Sequence, residues 1–236
     1  MKASNTSLGT NESPNYGVSD TVTSLSIGGI LFALTVGSML VFADTVVGEI
    51  VIALYGFLPI VGMLVVGGVL TLGYYVTTKG LKNNSNATAL AGTLITVFAY
   101  GAFGAGILSP YAPSIYNQAI LLAGGGTCLI GLIAATVVYS TDKSFRSWGE
   151  KSGKTFLFAI VAVGLGSIIP GSIGALIVGV GFVLVLIGFV IDLVYEIWQV
   201  ASGNRTPIEN GFGLYVAFTG VFVHLLQIAL EAMGDQ

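Results

Sequence analysis

Residues 179–199 read GVGFVLVLIGFVIDLVYEIWQ: thirteen apolar or glycine residues, then Asp192, then Glu196 one helical turn later. About 20 apolar residues rising 1.5 Å each are needed to cross a hydrocarbon layer of about 30 Å. An ionisable side chain inside such a run is costly to hold and by default marks a functional site. What Asp192 faces is therefore the question the rest of the chain has to answer.

Working outward, the composition fixes the solvent. Of 236 residues, 54 % are hydrophobic and 8 % are charged, and mean hydropathy is +0.92. Soluble domains carry about 25 % charged residues, so this chain cannot cover a globule with polar surface. It is expected to be an all-α, multi-pass membrane protein with the lipid bilayer as its surroundings. There is no basic patch for nucleic acid. One cysteine, Cys128, and one histidine, His224, exclude a disulfide framework and a zinc or iron–sulfur site. Thirty-four glycines without a collagen-like period suit close helix packing in a bilayer.

The first 24 residues are polar and rich in Ser, Thr, Asn and Gly, the composition of a disordered tail. They lack the basic start and short apolar run of a cleavable signal. Residues 25–236 form a single seven-span domain. The apolar runs are 25–43, 47–76, 88–108, 115–139, 155–169, 172–198 and 211–233. The second run is too long for one upright helix and too short for two. Pro59 inside it predicts one tilted, kinked helix. Seven spans bring all eight basic residues to one side: Lys2, Lys79, Lys82, Lys143, Arg146, Lys151, Lys154 and Arg205. The positive-inside rule makes that side cytoplasmic, with the N-terminus inside and the C-terminus outside. A prokaryotic plasma membrane and an internal membrane fit equally.

Two further stretches carry a resemblance. After the fourth span come Tyr139-Ser-Thr-Asp-Lys-Ser-Phe145 and Gly153-Lys-Thr-Phe-Leu-Phe158, and the last span contains Leu214-Tyr-Val-Ala-Phe218 followed by Thr219, Gly220, Val221 and Phe222. These resemble the transmembrane Bax-inhibitor-motif family, of which the chain looks like a divergent member. The resemblance implies a helical bundle that leaks calcium in a pH-dependent way, with a pair of hydrogen-bonded aspartates gating a central pore. Asp192 falls at the sixth-span aspartate. The seventh-span aspartate position holds Ala217, the following asparagine Gly220 and the terminal arginine Gln227. A Glu-Gly pair of the third span appears as Gly104-Ala105. Most of the family's membrane acids are thus replaced.

Asp192 is accordingly the candidate gate and calcium ligand, about 10 Å inside the cytoplasmic end of its span. No basic residue looks deep enough to pair with it, and packing alone is the competing reading. Glu196, on the same helix face, is expected at a solvated cytoplasmic mouth, where two carboxylates attract cations. His224 is a candidate proton relay, set against a structural hydrogen bond. Asp44, Glu49, Glu231 and Asp235 are candidates for an acidic outer vestibule, set against the reading that they only mark the outer interface. Ser172 in Gly171-Ser-Ile-Gly174 has the wrong order for an intramembrane serine protease, and no catalytic residue or resident cofactor is expected. The leading expectation is a pH-sensitive calcium or cation leak. The alternative is a non-conducting scaffold or stress and cell-death regulator acting through membrane protein partners.

Overall fold

The computed structural model describes residues 17–57 and 59–234. Among these, the chain is all-helical, with eight helices: α1 Val18–Ala43, α2 Val46–Phe57, α3 Pro59–Lys82, α4 Asn86–Leu108, α5 Pro113–Tyr139, α6 Trp148–Ile168, α7 Ser172–Ser202 and α8 Pro207–Gly234. Seven are long and apolar enough to cross a bilayer. The twelve residues of α2 reach about 18 Å and are too short.

Where one kinked span is expected, the described residues form two helices, α2 ending at Phe57 and α3 starting at Pro59. Proline has no amide hydrogen to donate and its ring opposes the carbonyl four residues back, so it begins a helix readily and interrupts one otherwise. Both pieces still run the same way along α4. Gly48 and Val51 of α2 face Ser109 and Gly106, while Gly73 and Gly80 of α3 face Thr96 and Ala89. Together, α2 and α3 make one crossing, and the count of seven holds.

Helix α8 is the centre of the bundle. Residues on all its faces are buried, as expected of a helix enclosed by others. Around it stand α1, α4, α5 and α7, with α3 packed on α4 and α6 on α7. Helices α3 and α6 meet only sparingly, which leaves space between them. On the α1 side, Phe32 stands edge-on to Phe218 and Phe222 at 5.1 and 5.0 Å. The buried Thr35 and Tyr215 hydroxyls lie 2.8 Å apart, a polar link that helps fix α1 against α8 in an apolar medium.

Several helices outrun their apolar cores. Residues 1–16 of the expected tail lie outside the described residues, but α1 already starts at Val18 and not at Leu25. Thr23 and Ser24 donate to the Ser19 and Asp20 carbonyls at 2.8 Å, so polar side chains are satisfied inside the helix itself. Helix α6 begins at Trp148, seven residues before its apolar run, with a Glu150–Lys154 ion pair at 2.6 Å on its first turns. Helix α8 begins at Pro207. Hydropathy marks the part in hydrocarbon and misses the polar turns that continue into the interface.

Glycine sets the approach of α3 to α4: a Cβ on Gly92 would run into the Thr77 backbone, whereas one on Gly67 would meet open space. Gly92→Leu should therefore lower the thermal unfolding midpoint in detergent by an amount equivalent to about 1–3 kcal/mol, and Gly67→Leu should leave it near wild type. Equal midpoints for the two variants would contradict this packing.

Candidate functional site

The turn between α7 and α8 is short and fully specified. Gly203 ends α7 in the left-handed region at φ 66°, where glycine avoids a Cβ penalty. Thr206-Pro207-Ile208-Glu209 then opens α8 as a capping box. The Thr206 amide donates to Glu209 Oε2 at 3.0 Å and the Glu209 amide donates to Thr206 Oγ1 at 3.3 Å, so each side chain satisfies the other's backbone. Only Asn204 and Arg205 lie between the two caps. The Arg205 carbonyl accepts from Asn210 Nδ2 at 3.5 Å, which further fixes the residue.

Held there, Arg205 reaches back into the bundle. Its Nη1 donates to Glu196 Oε2 at 2.8 Å and its Nη2 to the Tyr195 hydroxyl at 3.2 Å. Tyr195 also receives the Gln199 amide. Glu196 is 4 % exposed. The room for its carboxylate comes from Gly213 of α8, where any Cβ would collide with it. Burial pulls the Arg205 guanidinium down, but Glu196 and then Tyr195 offset this, so it lies above the ordinary arginine value. Arg205 therefore stays charged at every working pH.

One turn deeper, Asp192 Oδ1 accepts a hydrogen bond from Ser152 Oγ of α6 at 3.3 Å. Asp192 is half-buried. From Asp192 to the end of α7 at Ser202 is about 15 Å, deeper than the apolar run alone suggests. Phe189 lies against Gly220 and Glu196 against Gly213, so Asp192 stands level with Val216 and Ala217. Val216 faces the site. Ala217 is fully buried in an apolar cluster with Leu193 and Val221. Gly104 is packed against by the Met39 side chain.

Asp192, Glu196 and Arg205 line a polar chamber of about 370 Å³, together with Tyr74, Gly149, Ser152, Gly153, Tyr195, Gly213 and Val216. It belongs to a file of four cavities in which neighbours share lining residues. A cavity of about 280 Å³ at the basic end, bordered by Lys82 and Glu209, shares Tyr74, Arg205 and Gly213 with the chamber. Beyond the chamber lies an apolar cavity of about 600 Å³, sharing Tyr74 and Val216. Phe103 and Phe182 then border both that cavity and one of about 240 Å³ at the opposite end, lined by Gln227 and Glu231.

Arg205 lines the chamber with Asp192, and the ion pair it makes there is with Glu196. One expectation changes. Glu196 is buried and ion-paired, not solvated at a mouth, since α7 continues six residues past it and α8 closes over it through Gly213. His224 does not join the acids. Its Nδ1 lies 2.8 Å from the Gly220 carbonyl within α8, and it borders the apolar cavity. Of the outer acids, Glu231 lines the far cavity and accepts from Gln227 at 3.1 Å, while Asp235 lies outside the described residues. No group of three His, Cys, Asp or Glu side chains converges among the described residues.

Breaking the buried pair from one side should cost more than removing it. Arg205→Ala strands Glu196 and should destabilise by about 3 kcal/mol, at the low end for buried pairs because Arg205 is partly exposed. Adding Glu196→Gln should restore part of the loss, read as the thermal midpoint in detergent. A double variant no more stable than Arg205→Ala would show that the pair is not the stabilising contact.

The family of the inhibitor of apoptosis-promoting Bax1 matches residues 21–235. No curated protein and no solved structure matches the chain. With a match over nearly the whole length and a bundle of seven spans, the chain belongs to the Bax inhibitor family.

Proposed function

We propose that this membrane protein is a pH-sensitive cation leak, with calcium among the ions it passes, and that the Asp192 chamber is its gate. The observation that carries the reading is the placement of two carboxylates and one guanidinium in a polar chamber, second from the basic end in a file of cavities. Arg205 neutralises Glu196, so the chamber keeps the charge of Asp192, which attracts cations. Arg205 takes the role of a tether that holds the α7–α8 end closed over the acids. The basic ends of α3, α6 and the α7–α8 turn face the cytoplasm by the positive-inside rule, so the gate lies nearer that side.

The pH dependence follows from charge. Arg205 stays protonated throughout, while acid removes charge from Asp192 and Glu196. The chamber then passes from net negative toward net positive, and a cation is opposed. A second reading is a non-conducting scaffold or stress regulator that acts through protein partners. It is favoured by Ala217 and Gly104, which stand packed in apolar surroundings where the resemblance implies acids.

Purified protein in liposomes should release calcium above empty vesicles. Flux should fall as pH is lowered, drop about tenfold or more in Asp192→Asn, and fall less steeply with acid in Arg205→Gln. No flux above empty liposomes, or flux unaltered in Asp192→Asn, would favour the scaffold.

A further inference from the structure

The polar chamber and the apolar cavity behind it adjoin, and Tyr74 and Val216 line both. Volumes of about 370 and 600 Å³ lie in the usual range of about 300–1,000 Å³ for small-molecule pockets. The groups that titrate around the chamber are Tyr74, Asp192, Tyr195, Glu196 and Arg205. With Glu196 bonded to Arg205, Asp192 sets the sign.

We propose that these adjoining cavities bind a lipophilic amine, its ammonium on Asp192 and its apolar body against Phe103, Phe156, Phe182 and Phe189. The Asp192 carboxylate receives only the Ser152 hydroxyl among the hydrogen bonds described, at 3.3 Å, and a carboxylate has about four lone-pair sites. An ammonium donates up to three hydrogens and gains further from the ring of Tyr74, which lines both cavities. The second cavity supplies aromatic walls, with Phe156 and Phe189 already edge to face at 4.7 Å. An anionic head group is repelled by the same Asp192. A neutral one of equal shape loses the charge-assisted bond, which is about twice as strong as a neutral one. The site is the one assigned above to cation passage, but binding does not rest on conduction.

The test uses three compounds with one apolar body: 1-adamantylamine, 1-adamantanol and adamantane-1-carboxylate. Each is titrated calorimetrically into the full chain in lipid nanodiscs, with empty nanodiscs subtracted. The amine should bind saturably at one site, about tenfold or more tighter than the alcohol, and the carboxylate should not bind. Asp192→Asn should reduce the amine to the level of the alcohol. Val216→Trp, placed in the shared wall and checked for a wild-type unfolding transition, should remove binding of both. An amine that binds no better than the alcohol, or that keeps its affinity in Asp192→Asn, would overturn the proposal. Because no flux is measured, amine binding by a protein that fails to conduct would uphold this site while sinking the leak.

Discussion

The ion pair between Arg205 and Glu196 is the constraint on which the site depends. A carboxylate buried among helices is costly unless paired, and Glu196 finds its partner in a turn of four residues whose geometry leaves no alternative path. Gly203 stops α7, the Thr206–Glu209 box starts α8, and the guanidinium between them enters the chamber. Gly213 completes the fit by leaving out the one methyl group that would push Glu196 away.

Seen from this pair, the replacement of family acids has a physical sense. In relatives, the resemblance implies an aspartate on the last span facing the one at Asp192. Here that position is Ala217, turned into an apolar cluster, and the second carboxylate comes from Glu196 on the same helix as Asp192. A like-charged neighbour one turn away would raise the cost of both, and Arg205 offsets it. The chamber thus keeps a charge without a facing acid.

How much of this was legible in the sequence divides by solvent. Lipid-facing runs are long and apolar, so the seven crossings followed from their length. The polar turns that continue α6, α7 and α8 beyond the hydrocarbon carry no such signal, and one wall of the chamber is built there: Gly149, Ser152, Gly153 and Arg205 all lie outside the apolar runs. Asp192 stood out because it interrupts one. Glu196 was misread as solvated because its burial depends on α8 closing through Gly213, a contact between residues seventeen positions apart in sequence. The one signal for Arg205 was present in Gly203 and in Thr206-Pro207-Ile208-Glu209, whose caps leave only Asn204 and Arg205 between them.

The cavity between α3 and α6 follows from the same economy of contacts. Helix α3 is committed to α4 through glycine backbone contacts and α6 to α7, so neither closes the gap over α8. The charge of that gap is the central claim, and it is tested most directly by the reversal potential of reconstituted protein under a salt gradient. The account predicts cation selectivity in the wild type, lost in Asp192→Asn and shifted toward anions in Asp192→Lys. A reversal potential at the anion limit, or one that does not move when Asp192 is changed, would contradict it.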